Sequence, residues 1–112
     1  MRLEVTTDDG SRAAIVEVQS ESLDAGNVKA FKEAVQPVLD AHAAVLIDLG
    51  PVGFVDSSGL GALLSCLRVM NNRNGQLKIY GMAKPVRALF ELVRMHRIFA
   101  IYNTREEALA TI

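Results

Sequence analysis

Apolar positions recur along this chain with two periods, and the changes between them mark its elements. Leu3–Thr7 reads as a short strand, and Ala13–Gln19 alternates with enough β-branched residues to form a second. Asp8-Asp9-Gly10-Ser11 between them has turn composition, which predicts a hairpin. After a break at Asp24-Ala25-Gly26-Asn27, the residues Val28, Phe31, Val35, Val38 and Leu39 fall at helical spacing, with Lys29, Lys32 and Glu33 off that face. Asn27 is the expected cap of this helix. Ala44–Leu49 is nearly continuous in apolar character, as a strand buried on both faces would be. Leu60, Leu63, Leu64 and Leu67 form one stripe of a second helix, expected to begin at Leu60 and to end near Asn72, ahead of Asn74-Gly75. Leu77–Tyr80 is another strand. Val86, Leu89, Phe90 and Val93 mark a third helix, with Pro85 suited to its first turn. Ile98–Tyr102 is a last strand, and Thr104-Arg105-Glu106-Glu107 is a capping box for a final short helix.

The predicted order is β-β-α-β-α-β-α-β-α. Strands alternating with helices place the chain in the α/β class, with a mixed sheet of four to five strands flanked by about four helices. The opening hairpin supplies an antiparallel edge. A length of 112 residues without a visible linker or repeat is read as one domain, 1–112, and half the residues are apolar, enough for an ordinary core.

Composition narrows the function classes. The longest apolar runs fall far short of the roughly 18 residues that span a bilayer, and Met1-Arg2-Leu3-Glu4 opens no signal-peptide apolar region. Cys66 has no partner for an internal disulfide, so a reducing, cytoplasmic location is expected, with no membrane association. Net charge is −1, but residues 1–56 hold four Lys/Arg against ten Asp/Glu, and residues 57–112 hold eight against three. The halves thus carry −6 and +5. Lys and Arg are scattered among apolar helix positions and no tryptophan occurs, which argues against nucleic-acid binding. The asymmetry is either a set of solvated helix faces or a polarised surface that orients a protein partner.

Val55-Asp56-Ser57-Ser58-Gly59-Leu60-Gly61 carries the candidate chemistry. It places two hydroxyls and a carboxylate at the head of the second helix, where unpaired N–H groups and the helix dipole suit a cap, an anion or a serine that accepts phosphate. Several chemistries are disfavoured. A hydrolase elbow needs Gly-x-Ser-x-Gly, whereas Asp56 and Leu60 flank Ser58 at those positions, and only His96 follows as a base. A P-loop needs a lysine that Gly53–Gly61 lacks. His42, Cys66 and His96 have no metal-ligand spacing, and His96, near the end of the third helix where a cation favours the dipole, reads as structural. Asp8-Asp9, Asp48 and Lys84-Pro85 imitate a phosphoacceptor receiver. In a receiver, however, a helix follows the acidic pair and about one more strand–helix unit separates Asp48 from the lysine. No catalytic residue, cofactor or metal is therefore assigned.

The stretch Phe54–Gly61, preceded by Val45-Leu46-Ile47-Asp48-Leu49, resembles the bacterial anti-sigma-factor antagonists, which are STAS domains. The likeness extends over nearly the whole chain, through Leu23-Asp24, Gly75-Gln76-Leu77, Val86-Arg87-Ala88-Leu89-Phe90, Ile98-Phe99 and Glu106-Glu107-Ala108-Leu109. It implies a STAS-type fold and a partner switch without catalysis of its own. In such a switch the unmodified antagonist binds an anti-sigma factor that is also a serine kinase of the histidine-kinase-like ATPase type, and so frees the target. Phosphorylation of the second motif serine, here Ser58, breaks the complex, and a PP2C-type phosphatase restores it. Asp24, Asp56, Ser57, Ser58 and Gly59 are the partner-binding positions the resemblance marks. Ser57 is expected to serve as a cap or turn hydroxyl. Asp56 either ends the preceding segment or contacts the partner, and Asp24 is either a turn residue or a site residue. Gly59 is expected to permit close approach to Ser58, or, together with Gly61, simply close helix–strand packing. Val93-Arg94-Met95-His96 departs from the small residue and glycine that end the third helix in many relatives. The alternative is a STAS subunit of a membrane transport complex, against which Asp56-Ser57-Ser58-Gly59 argues because those relatives often lack a phosphorylatable serine. A monomer is expected.

Overall fold

The computed structural model describes residues 1–112. The hairpin forms as expected, from β1 (Leu3–Thr7) and β2 (Ala14–Val18), antiparallel with Val5 opposite Val16. Three parallel strands follow it across the sheet: β4 (Ala44–Asp48), β6 (Gln76–Tyr80) and β7 (Ala100–Tyr102). The five-stranded order is β1-β2-β4-β6-β7. Each crossover therefore steps the same way along the sheet. Right-handed connections then put the three crossover helices on one face. These are α1 (Val28–Ala41), α2 (Ser57–Asn72) and α3 (Lys84–Leu92).

The main core lies under those helices. Phe31, Val35 and Leu39 of α1, Leu63, Cys66 and Met70 of α2, and Val86 and Phe90 of α3 meet Val16, Val45, Ile47 and Ile79. Alternate strand residues point the other way. Ile15, Leu46 and Tyr80 form a smaller cluster with Ala108, beneath α4 (Arg105–Leu109), the one helix on that face. The period-two alternation of each strand thus supplies two separate cores.

Four expectations are corrected. First, α2 begins at Ser57 rather than Leu60, because its cap sits three residues before the apolar stripe starts. Second, Asn27 precedes α1 without capping it; its side chain accepts from the Asp24 N–H (2.9 Å) and donates to the Ser22 carbonyl (2.8 Å) instead. Third, the last strand is shorter than Ile98–Tyr102. His96 lies not at the end of α3 but in a separate 3-10 turn, Met95–Arg97, entered through Arg94 at φ 62°. Fourth, two two-residue strands went unpredicted: β3 (Ser22–Leu23) and β5 (Phe54–Val55) pair in parallel as a ribbon outside the main sheet.

Candidate functional site

The segment from Leu49 to Asp56 leaves the carboxyl end of β4 and delivers the chain to the head of α2. Leu49 N–H donates to the Tyr80 carbonyl (3.2 Å), and a turn follows in which Asp48 Oδ1 accepts from Gly50 N–H at 2.8 Å. β5 then runs beside β3, with Gly53 N–H donating to the Glu21 carbonyl (2.8 Å) and Asp56 N–H to the Leu23 carbonyl (3.3 Å). This ribbon brings the Asp24 turn, more than thirty residues upstream, against the start of α2.

Asp56 is the cap. Its backbone is extended, and its Oδ1 accepts from Gly59 N–H at 2.9 Å. Its Oδ2 accepts from Ala25 N–H at 3.0 Å. One carboxylate therefore closes the helix end and ties down the neighbouring turn. The Gly59 amide is the largest influence holding its carboxyl below the ordinary 3.8; desolvation opposes this, and the Ala25 amide adds to it. Asp24 sits beside it, half-buried, with Oδ1 accepting from Gly26 N–H (2.9 Å) and its carbonyl accepting from the first amide of α1, Val28 (3.0 Å).

The two serines occupy the first two positions of α2. Ser57 is exposed and is not the cap; Asp56 has taken that role. Ser58 is half-buried. No hydrogen bond within the chain engages either hydroxyl, whereas Ser65, two turns on, spends its own on the Gly61 carbonyl (3.0 Å). Gly59 is buried beneath the ribbon, so its role is internal rather than to clear an approach to Ser58. A Cβ there would lie 2.1 Å from the Leu23 carbonyl oxygen. Gly61 does not serve the close packing expected of it: it is exposed, and a Cβ on it would meet nothing within 4 Å.

The structure thus brings Asp24, Asp56, Ser57 and Ser58 to one place and sets Gly59 beneath them. His42, Cys66 and His96 remain apart: His42 Nδ1 lies 2.9 Å from the Val38 carbonyl, Cys66 is buried in α2, and His96 is exposed. Sequence reasoning missed the part played by Ala25, which enters through its backbone amide and leaves no side-chain signal. The largest cavity, about 670 Å³, lies elsewhere, at the amino ends of β4 and β6 among Asp8, Asp9, Arg12 and His42. The carboxyl ends of parallel strands are where open α/β sheets present their sites, and Ser58 is at that end.

The chain matches known proteins over nearly all of its length. The STAS domain family profile covers residues 2–108. The chain belongs to the STAS domain family. Among curated STAS relatives, an anti-sigma-B factor antagonist of Staphylococcus aureus is 30% identical over 107 residues, covering 95% of this chain and 96% of that one. The crystal structure of an anti-sigma factor antagonist from Mycobacterium paratuberculosis superposes with a TM-score of 0.85 at 25% identity, over 99% of this chain and 92% of that one. The Bacillus cell fate determinant SpoIIAA in its phosphorylated form has the same fold (TM-score 0.70, 17% identical, 98% of each chain). No helix of this STAS chain is long and apolar enough to cross a membrane.

Proposed function

We propose that this STAS domain is an anti-sigma factor antagonist working by partner switching. The unphosphorylated chain binds an anti-sigma factor that is also a serine kinase of the histidine-kinase-like ATPase type, and so releases that factor's target. Transfer of a phosphoryl group from ATP to Ser58 Oγ, catalysed by the partner, breaks the complex. A PP2C-type phosphatase hydrolyses the phosphoester and resets the switch. The chain contributes no catalysis, only a surface and an acceptor.

The observation that carries this reading is the state of Ser58: a hydroxyl without an intramolecular bond, at the second position of a capped helix, beside Asp56 and the Asp24 turn. The choice of Ser58 over the more exposed Ser57 rests on the resemblance to the antagonists alone; the existence of a phosphorylated relative of the same fold supports modification as such. Phosphate adds about −1.5 to −2 charge at neutral pH. The helix end tolerates that charge, because the amides of Ser57 and Ser58 have no acceptor within the helix. A partner docked over Asp56 does not tolerate it. Breaking such a contact costs about 2–5 kcal/mol, or roughly 30- to 5,000-fold in affinity.

The test is incubation with the genomic-neighbour anti-sigma kinase and ATP, read by mass spectrometry. A single phosphate on Ser58 is expected, with none on Ser58→Ala. Full modification of Ser58→Ala would remove the assignment.

A further inference from the structure

The two edges of the five-stranded sheet are finished differently. β7 is three residues long and half-buried throughout, with the 3-10 turn just before it and α4 just after it. A short edge of that kind offers little to another strand. β1 is five residues long, and Glu4, Val5, Thr6 and Thr7 are all exposed. Its pairing with β2 runs unbroken from Leu3 opposite Val18 to Thr7 opposite Ala14, so no bulge turns it away. It contains neither proline nor lysine, the residues that commonly guard such an edge. Val5 at its centre is 42% exposed. The ladder fixes which backbone groups are free. Gln19 N–H donates to the Arg2 carbonyl (3.1 Å) and Asp8 N–H to the Ala13 carbonyl (2.9 Å), each pair continuing the same register. Bonded pairs alternate along an antiparallel ladder, so Arg2, Glu4, Thr6 and Asp8 turn their backbone groups to β2. Leu3, Val5 and Thr7 turn theirs away from the sheet, and no loop, turn or cap of the chain bonds them.

We infer that this edge pairs with the same edge of a second copy of the chain, antiparallel about a two-fold axis at Val5, in place of the monomer expected from the sequence. Charge selects that register. With the axis at Val5, Val5 faces Val5 of the second copy, Leu3 faces Thr7, and Glu4 faces Thr6. One step beyond the strand, Arg2 faces Asp8 at both ends. Asp8 accepts from the Ser11 N–H (2.9 Å) and hydroxyl (2.7 Å) through Oδ2, which leaves Oδ1 for the guanidinium. Moving the axis to Glu4 sets Glu4 against Glu4, and moving it to Thr6 sets Glu4 against Asp8. Like charges directly opposite destabilise a strand pair, whereas opposite charges support it. The Val5 axis alone keeps the carboxylates apart and brings Arg2 to Asp8. It also uses every free backbone group of the strand, because the facing pairs of Leu3, Val5 and Thr7 each exchange two hydrogen bonds. The two five-stranded sheets then run on as one. None of these residues belongs to the head of α2, so the pairing does not depend on the function proposed above. An edge of five residues buries less than the roughly 1,200 Å² of a stable complex, and the dimer is accordingly concentration-dependent.

Sedimentation equilibrium between about 10 μM and about 1 mM protein tests this. The weight-average mass of wild type is expected to rise from 12.2 kDa toward twice that value. Val5→Lys sets two ammonium groups together at the axis and is expected to stay at 12.2 kDa throughout. Val5→Pro removes the outward N–H but no bond to β2, and is expected to do the same. Arg2→Glu sets like charge against Asp8 at both ends and is expected to weaken association at least about tenfold. Val5→Thr keeps a β-branched side chain and is expected to dimerise as wild type does. Arg2→Glu and Val5→Thr also decide the matter should lysine or proline at the centre unfold the strand, which circular dichroism reports. Wild type that stays at 12.2 kDa at the highest concentration would overturn the pairing. So would a dimer that both Val5→Lys and Arg2→Glu leave intact, since the second copy would then sit on another face. A dimer abolished by Val5→Lys but indifferent to Arg2→Glu would overturn the register centred on Val5.

Discussion

A methyl group on Gly59 would lie 2.1 Å from the Leu23 carbonyl oxygen and 2.9 Å from Val55 Cγ1. The first contact is with backbone, so no rotamer change relieves it, and the β3–β5 ribbon must lift from α2. Gly59→Ala is expected to cost at least about 2 kcal/mol, lowering the thermal midpoint by several degrees; a midpoint within about 1 °C of wild type would show that the ribbon is not pressed on the helix. Gly61→Ala is the control, since open space surrounds it. Asp56 gives a pH-dependent counterpart. Its carboxyl titrates below the ordinary 3.8 in the folded chain, so its stabilisation is complete above that value and disappears as pH falls through the folded one. Wild type should therefore be more resistant to urea than Asp56→Asn at about pH 7, and the gap should close in acid. A gap that persists to about pH 2 would mean that the shape of the side chain, not its charge, closes the helix.

Elements with strong local patterns were legible before the structure. Ala44–Leu49 reads as a buried strand because both faces are covered, and the capping box at Thr104 forms in full, with Thr104 Oγ1 accepting from Glu107 N–H (3.2 Å) and Glu107 Oε1 from Thr104 N–H (3.0 Å). The β3–β5 ribbon was not legible. Each strand has two residues, too few for any period, and its pairing joins Leu23 to Val55 across the first half of the chain. The candidate site suffered from the same blindness. The motif showed the serines and Asp56, but only the ribbon reveals that Asp56 also holds Ala25, or that Gly59 faces inward. The start of α2 slipped because the cap precedes the apolar stripe. At this scale α4 offers a test, because it alone covers the Ile15, Leu46 and Tyr80 cluster. Thr104→Ala should cost about 1 kcal/mol, a fall of about 4 °C in the thermal midpoint. An unchanged midpoint would show that packing of Ala108, not the cap, keeps α4 in place.

For the whole molecule, the strand order converts a sequence asymmetry into a spatial one. β1, β2 and β4 come from the acidic first half and occupy one side of the sheet; β6 and β7 come from the basic second half and occupy the other. Glu4, Glu17 and Asp48 even fall in register across the three acidic strands. The molecule measures 32 × 26 × 24 Å. The screening length is about 10 Å at 0.1 M salt, so an approaching partner meets one half at a time and the net charge of −1 describes neither. The head of α2 lies at the boundary, with Asp24 and Asp56 presenting the acidic side and Glu21 at the far end of the β3–β5 ribbon. A kinase with a basic docking face would then be steered toward Ser58 before contact. Its association rate should fall steeply as salt rises from about 0.05 to 0.5 M, while the dissociation rate changes little. Glu21→Lys should reproduce much of that loss at low salt and add little to it at high salt. An association rate indifferent to salt would leave the polarity of the sheet as a property of the fold alone, and place all discrimination between partners in the contacts made after docking.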